Sequence, residues 1–285
     1  MNGRENIASL IYWINERNDV RQAKEDGLAK PWSDNRVFQS TYFCNVRRED
    51  DRVTKWIRQN WSPEKIGWED YEYAMLLARF LNWPNTLQML TLPEGPLLES
   101  ADIQRLLEET SEDGTKIWGN AYIVTTHGMS MGKVAYLCER VLPDAYDLLG
   151  AGRWRGAYPT YPTSGASLAQ RHGQLMQLEG LGSFMAAQVI ADLKNTIGHP
   201  LNSATDWWTW AAPGPGSLRG IAWALGRKVS PGNFLKELND LKYSIEENFP
   251  YPICAQDFQN CLCEFDKFMR VSTGSGRSKR GYSGS

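Results

Sequence analysis

The chain has 285 residues, of which 42% are hydrophobic and 22% are charged, a balance typical of a folded globular protein with a sizeable core. No apolar stretch approaches the roughly 18 residues of a membrane span, and the N-terminus lacks the apolar segment of a signal peptide, so we expect a cytoplasmic protein with no membrane partner. The five cysteines are odd in number and share no repeated spacing, which argues against a disulfide framework and against a metal site.

Helical periodicity dominates the chain from its beginning. Apolar residues recur at helical spacing over 6–20, and Ser62-Pro63-Glu64 predicts a helix start because serine caps helices and proline is favoured in the first turn. The next predicted helix, 70–81, ends before Trp83-Pro84. Further helices are predicted over 101–110, 131–141, 167–178, 183–194, 217–225 and 233–248. Roughly ten helices with little strand alternation predict an all-α fold.

The C-terminal segment 271–285 is rich in glycine and serine and contains Arg277, Lys279 and Arg280 but no acidic residue. Such a segment cannot bury apolar surface, so we expect a disordered basic tail after a single helical domain over 1–270. The tail either holds DNA or serves as a solubilising terminus.

The segment Glu179-Gly180-Leu181-Gly182 joins two predicted helices tightly. Its glycines permit positive φ and leave backbone N–H groups uncovered at the start of the second helix, where Ser183 follows. These groups can bind one DNA phosphate without reading sequence, as in a helix-hairpin-helix motif. A glycine cap between two packed helices is the alternative.

The stretch LEGLGSFMAAQVIADL, followed by Asp206, resembles the hairpin of the helical DNA glycosylases. The resemblance implies a two-lobed helical fold with DNA between the lobes. Two departures stand out: Phe184 occupies the position of the lysine found in lyase-type members, and Cys254, Cys261 and Cys263 do not have the spacing of the iron–sulfur cluster of some members. The resemblance therefore implies a retained scaffold and a changed reaction.

Four blocks together resemble a second, related family. They are ERNDVRQAK, PWSDNRVFQSTYFCNVRREDDRVTKW, the hairpin with AAQVIADL, and DWWTWAAPGPGSLRGI, and they resemble the α-glutamyl/putrescinyl-thymine pyrophosphorylases. That family includes amino acid:DNA transferases of bacteriophages with hypermodified thymine. The resemblance implies double-stranded DNA containing modified thymine as substrate, an amino acid or polyamine as co-substrate, an upstream DNA kinase, and the cytoplasm of an infected host cell.

The implied reaction releases pyrophosphate from a modified methyl group of uracil and puts an amine in its place. It requires cations for the pyrophosphate, a carboxylate for the amine proton and an unstacked base, and we expect no cofactor or metal. Arg48 and Arg52, four residues apart and on one face if helical, are predicted to be catalytic, with Arg47 and Asn45 beside them. A solvated, salt-bridged helix is the alternative for this segment.

A second pyrophosphate-binding segment is predicted at PGPGSLRG. Ser217 is expected to cap a helix there, next to Gly216, and Arg219 to lie in the first turn beside free N–H groups. The alternative is an ordinary capped helix start.

Asp206 is predicted to be the catalytic base, with Trp207 and Trp208 as stacking faces for the base; an N-cap role is the alternative for Asp206. Glu16 and Arg17 are interpreted as an ordinary surface pair. The sequence HGMSMGK lacks the spacing of a phosphate-binding Walker loop, which argues against kinase activity.

The sequence leaves three other functions open. A DNA glycosylase would use Asp206 and a water to release a modified base. A non-catalytic DNA-binding protein would use only the hairpin and the tail. A helical partner of a DNA kinase would assist an enzyme encoded elsewhere.

Overall fold

The computed structural model describes residues 3–91, 97–98, 100–121, 124–149 and 165–276. Within these ranges the regular structure is helical, apart from isolated bridge residues such as the pair Thr91 and Leu97. The predicted all-α class is therefore confirmed. The α-helices are α1 (Gly3–Glu25), α2 (Arg36–Ser40), α3 (Arg52–Asn60), α4 (Pro63–Ile66), α5 (Tyr71–Leu81), α6 (Pro84–Met89), α7 (Ser100–Glu112), α8 (Lys133–Tyr136), α9 (Leu142–Leu149), α10 (Leu168–Leu175), α11 (Ser183–Lys194), α12 (Pro215–Leu225), α13 (Phe234–Ile245) and α14 (Ala255–Ser272).

Shorter turns complete the helical elements. One π-helical turn, Leu137–Val141, connects α8 to α9, so the helix predicted to end at residue 141 continues further. The 3-10 turns are Arg48–Asp50, Pro200–Ser203, Pro231–Asn233 and Glu246–Asn248. Within the described part of the chain, none of the helices combines the length and the apolar character that spanning a membrane requires.

Local sequence signals account for most helix ends. Ser62 precedes α4, which has proline in its first turn as predicted. Asn82 ends α5 in the left-handed conformation, with φ of 46°, which a short polar side chain tolerates better than most. The glycine after α12, Gly226, is left-handed as well, with φ of 68°.

The helix α14 was not predicted, although its sequence contains the signal. Phe258, Leu262 and Phe265 recur at helical spacing and are fully buried. Cys261 lies on the same buried face and is also fully buried, whereas Cys263 is only partly buried. The helix continues through Val271 and Ser272, so the first residues of the predicted tail belong to a helix.

The chain divides into two compact units, Met1–Asp51 with Trp208–Ser285, and Arg52–Trp207. The first unit is built around α1, α12, α13 and α14. Its core residues are apolar side chains that these four helices share, among them Leu10, Trp13, Ile221, Phe234, Leu238, Phe258 and Phe265.

Two glycines allow α12 to pack closely on α14. A Cβ atom on Gly220 would lie 1.9 Å from the backbone oxygen of Leu262, and one on Gly216 would lie 2.3 Å from Sγ of Cys263. Because the two glycines are four residues apart, they lie on the same face of α12. Any side chain at Gly220 would force the helices apart.

The second unit is built around α5 and α11. The buried guanidinium of Arg79 on α5 pairs with the carboxylate of Asp192 on α11 through two hydrogen bonds. Arg79 also donates to Oγ1 of Thr54 at 2.9 Å and to Oδ1 of Asn82 at 3.1 Å. Full pairing is the condition under which a buried charge is tolerated.

A second buried ion cluster ties α5 to α10. Glu72 pairs with Arg171 and accepts a hydrogen bond from Nε2 of His199 at 3.1 Å. Burial alone would raise the pKa of Glu72, but Arg171 and His199 lower it from 4.5 to about 2. The ionised form of Glu72 therefore stabilises the fold.

This pKa predicts a dependence of stability on pH. Because the folded pKa lies below the ordinary value, the stabilisation is complete above pH 4.5 and is lost as the pH falls toward 2. We expect Glu72→Gln to be less stable than wild type at pH 7, with the difference narrowing as the pH falls through that interval. Urea unfolding measured at a series of pH values tests this, and a difference independent of pH would contradict it.

Candidate functional site

The predicted hairpin is a tight turn between α10 and α11, which pack against each other. Gly180 has φ of +79°, and a Cβ there would lie 2.9 Å from the hydroxyl of Tyr136. Gly182 is different, because its φ is −75° and a Cβ would meet no atom within 4 Å. The fold therefore requires glycine at Gly180, whereas Gly182 faces open space.

Acidic side chains lie at the first half of this turn. The backbone N–H of Glu179 donates to Oδ2 of Asp144 at 2.7 Å, and the Glu179 side chain pairs with Arg140 at 3.1 Å. Two carboxylates beside Gly180 oppose a phosphate there. If the turn binds DNA, the phosphate is expected at Gly182 and Ser183, where α11 begins.

This geometry makes Gly182→Val a test of DNA binding by the turn. The new side chain has room in the protein but covers the start of α11, so we expect the fold to be intact and DNA affinity to fall about tenfold or more, the scale of one lost charge-assisted hydrogen bond. Gly232→Val is a matched control, because a Cβ on Gly232 also meets no atom within 4 Å. Fluorescence anisotropy with a labelled duplex measures the DNA affinity of both variants. Equal affinities of Gly182→Val and wild type would show that the turn does not contact DNA.

The side chain of Asp206 contacts the N-terminus of α10, although Asp206 follows that helix in the chain. Its carboxylate accepts hydrogen bonds from Oγ of Ser167 at 2.9 Å and from the backbone N–H groups of Leu168 at 2.7 Å and Ala169 at 3.0 Å. These donors lie 37 to 39 residues away in sequence. The carboxylate is thus held in place by the start of α10, a contact that we did not predict from the sequence. The role of Asp206 as a base stays a prediction.

The two tryptophans after Asp206 have different surroundings. Nε1 of Trp207 donates to the backbone oxygen of Lys194 at 3.0 Å, and the Lys194 ammonium lies 4.3 Å from the centre of the Trp207 ring. The face of Trp207 therefore already contacts a cation. Trp208 is 50% exposed, so it is the more accessible of the two predicted stacking residues.

In the segment PGPGSLRG the predicted position of the cap is wrong, because Gly214 is the N-cap residue and Ser217 satisfies the N–H of Gly214 from the first turn of the helix. The helix α12 begins at Pro215, not after Ser217, and Ser217 is fully buried with its hydroxyl bonded to both backbone groups of Gly214 at 3.0 Å. Gly216 faces α14. Packing inside the first unit thus explains both residues without a phosphate.

Arg219 has an acidic partner. Its Nε donates to Oδ2 of Asp266 at 3.0 Å, and the same buried carboxylate accepts from Arg270 at 3.2 Å and from Nε1 of Trp223 at 3.3 Å. Contrary to the prediction, Arg219 does not lie in the first turn of α12 beside free N–H groups, because α12 begins at Pro215. The Arg219 side chain remains 55% exposed, so an anion can still reach it.

Arg48 and Arg52 do not share one helix face. Arg48 begins a 3-10 turn, Asp51 is extended with ψ of 136°, and Arg52 begins α3. The break at Asp51 separates the two arginines, which also belong to different compact units. The backbone N–H of Arg48 donates to Oδ1 of Asp257 on α14 at 3.0 Å, which fixes the start of this turn.

Arg17 of α1 lies next to the predicted residue Asn45. Nε of Arg17 lies 3.2 Å from the backbone oxygen of Phe43 and 3.0 Å from that of Cys44, and its Nη2 donates to Oδ1 of Asn45. Glu16 instead accepts a hydrogen bond from Ser33. The interpretation of Glu16 and Arg17 as a surface pair was therefore wrong.

Arg21 and Arg47 complete this group, which we name the arginine cluster: Arg17, Arg21, Arg47, Asn45 and Asp50. Asp50 accepts from Nε of Arg47 at 3.2 Å and lies 3.5 Å from Nε of Arg21. Nδ2 of Asn45 donates to the backbone oxygen of Asp50 at 2.7 Å. The Arg47 guanidinium stacks on Tyr251, 4.3 Å from the ring centre.

Sequence reasoning found Asn45 and Arg47 but missed Arg17 and Arg21. The available signal was their spacing in ERNDVRQAK, because residues four apart lie on one helix face. Arg277, Lys279 and Arg280, the predicted DNA-binding residues of the tail, lie outside the described residues. Phosphate binding by Asn45 and Arg47 stays a prediction.

The chain has been compared with known proteins. No curated protein and no solved structure matches it significantly, so the predicted relation to the DNA glycosylases stays a prediction. One family matches residues 4–278 and is described as "5-hmdU DNA kinase, helical domain". Because the match covers nearly the whole chain, this protein belongs to the family of 5-hmdU DNA kinase helical domains.

Proposed function

We propose that this protein is a DNA-base-modifying transferase that replaces the pyrophosphate of 5-pyrophosphoryloxymethyluracil in DNA by an amine. The observation that carries the proposal is the arginine cluster, in which Arg21 and Arg47 share the carboxylate of Asp50 and Arg21 also pairs with Glu25, whereas Arg17 makes no ion pair with a carboxylate among the described residues. Family membership supports the same chemistry, because a kinase acting on 5-hmdU in DNA would supply a phosphorylated substrate.

The reaction breaks one bond and forms one. The C–O bond between the exocyclic carbon and the pyrophosphate breaks, and that oxygen retains the electron pair. The amine nitrogen forms a C–N bond to the same carbon and releases a proton. Cations lower the energy of the departing anion, and a carboxylate receives the proton.

The chain's own groups fit these roles in part. Guanidinium groups bind phosphoryl oxygens through two parallel hydrogen bonds. Asp206, which belongs to the second compact unit, stays the predicted proton acceptor, and its donors hold the carboxylate in one orientation while leaving it half-buried. Trp208 is the proposed stacking face for the unstacked base. The nucleophile is an amino acid or a polyamine.

The test is nucleoside mass spectrometry of duplex DNA containing pyrophosphorylated hydroxymethyluracil, after incubation with the protein and a mixture of amino acids and putrescine. An aminated thymidine derivative, released together with pyrophosphate, is the expected result. Release of free base would instead indicate a glycosylase. Unchanged nucleosides with every amine would contradict the transferase.

The family match favours a second candidate, a helical module that holds DNA for a 5-hmdU DNA kinase. In that case the protein would leave the nucleosides unchanged by itself but would accelerate phosphorylation of hydroxymethyluracil DNA by the kinase. A kinase assay with and without added protein separates this function from the first.

A further inference from the structure

We propose that the arginine cluster is a binding site for a small phosphoryl anion, and that Arg17 forms its buried end. This inference deepens the proposed function, on which it rests, by naming the ligand of the cluster as a pyrophosphate group. It also assigns a role to α1, which none of the predicted site residues occupies.

The first argument is the charge of Arg17. Its three hydrogen bonds go to neutral oxygens, those of Phe43, Cys44 and Asn45. Its Nη1 is shielded from solvent and has no hydrogen-bond partner among the described residues. Buried charges are normally paired with an opposite charge, so a guanidinium with a shielded, unpaired N–H group fits an anionic ligand.

Nearby carboxylates are engaged elsewhere. Tyr42, Cys44 and then Glu264 act electrostatically on Arg17. Glu264 is the carboxylate among them, and its Oε2 accepts from Lys267 at 2.6 Å and from the backbone N–H of Cys44 at 3.0 Å. Burial lowers the pKa of Arg17, which means that the fold bears a cost for keeping this side chain charged. An anion within the cluster would offset that cost.

The second argument is the proximity of Arg21. Like charges four residues apart on a helix destabilise each other, and Arg21 also lowers the pKa of Arg17. Arg21 pairs with Glu25 through Nη1, but its Nε is shielded and makes no hydrogen bond with standard geometry, although Asp50 lies 3.5 Å away. A ligand with several phosphoryl oxygens would satisfy N–H groups on both arginines.

The third argument concerns the size of the ligand. The unpaired atoms of Arg17 and Arg21 are shielded, whereas Arg47 is 36% exposed. A phosphate within a DNA backbone is flanked by sugars and would meet Arg47 first. A terminal pyrophosphate, free or attached to the exocyclic carbon of a base, carries no sugar on its outer phosphoryl group, so it can approach the cluster more closely than a phosphate of the DNA backbone.

The test uses the full chain and inorganic pyrophosphate without DNA or amine. Isothermal titration calorimetry at constant ionic strength is expected to show saturable binding by wild type. Arg17→Lys keeps the charge but removes the forked donors, so binding should weaken at least about tenfold. Arg227→Gln, which removes only a surface pair with Glu237, is the control and should bind like wild type.

Arg17 also donates hydrogen bonds to loop carbonyl groups, so the fold of Arg17→Lys is checked by circular dichroism. Arg21→Lys is a second variant, and we expect it to lose pyrophosphate affinity to the same extent. Competition with an unmodified duplex distinguishes the sources of phosphate, because duplex DNA should not displace pyrophosphate. The inference is overturned by absent or non-saturable binding to wild type, by wild-type binding in both folded variants, or by displacement with duplex DNA. If the protein transferred the amine but did not bind pyrophosphate, the proposed anion site would be wrong and the proposed transferase function would still hold.

Discussion

Asp192→Asn is expected to lower the free energy of unfolding by about 3–5 kcal/mol, the usual cost of removing one partner of a buried ion pair. The substitution keeps the size of the side chain but leaves the charge of Arg79 uncompensated. Arg79 is fully buried, and its remaining partners, Thr54 and Asn82, are neutral. Urea unfolding followed by circular dichroism measures the effect.

A matched control is available on the surface. Asp102 and Arg105 also form an ion pair, but their side chains are 44% and 70% exposed. Because water screens such a pair, Asp102→Asn should change stability by no more than about 1 kcal/mol. If the two variants lost similar stability, the Arg79–Asp192 pair would contribute no more to the free energy of unfolding than a surface ion pair does.

The second large effect is expected for Asp206→Asn. An amine is protonated near neutral pH and attacks carbon only after losing a proton, so loss of the proposed acceptor should reduce product formation by roughly 100-fold or more. The rate should recover in part at higher pH, where free amine is abundant. Product formation is measured by the nucleoside assay described above.

The structure also predicts a stability effect for this variant. Both oxygens of Asp206 accept hydrogen bonds at the start of α10, and an asparagine amide would place an NH₂ group against one of these donors. We expect a loss of about 1 kcal/mol, comparable with loss of a helix cap.

Ser167→Ala separates stability from catalysis. It removes the hydroxyl that bonds both to Asp206 and to the N–H group of Gln170, yet it leaves the carboxylate in place. Ser167→Ala should therefore lose similar stability and retain most of the turnover. Equal losses of turnover in the two variants, or wild-type turnover in Asp206→Asn at every pH, would assign Asp206 a purely structural role.

Several elements of this protein were determined by the sequence alone. Helical spacing of apolar residues predicted the all-α class, and α11 has the predicted bounds. Proline after Ser62 and glycine at Gly180 marked a helix start and a turn. These features depend on steric and hydrogen-bonding preferences within a few residues, so they leave a pattern in the local sequence.

The sequence did not predict the roles of Gly216, Ser217 and Arg219. Glycine, proline and serine at a helix start are equally consistent with an anion-binding turn and with close helix packing. Only the contact of α12 with α14 decides between them, because that contact covers Gly216 and pairs Arg219 with Asp266, which lies 47 positions later in the chain.

Tertiary structure likewise decided the composition of the arginine cluster. Asn45 and Arg47 could be selected from their own segment, but Arg17 lies 28 residues before Asn45 in the chain. The partners of Asp206 are 37 to 39 residues away from it. Contacts over such separations depend on how whole helices bury their apolar faces against each other. Helical periodicity in the sequence shows which face of a helix is apolar, but it does not show which polar residues of two distant helices will meet.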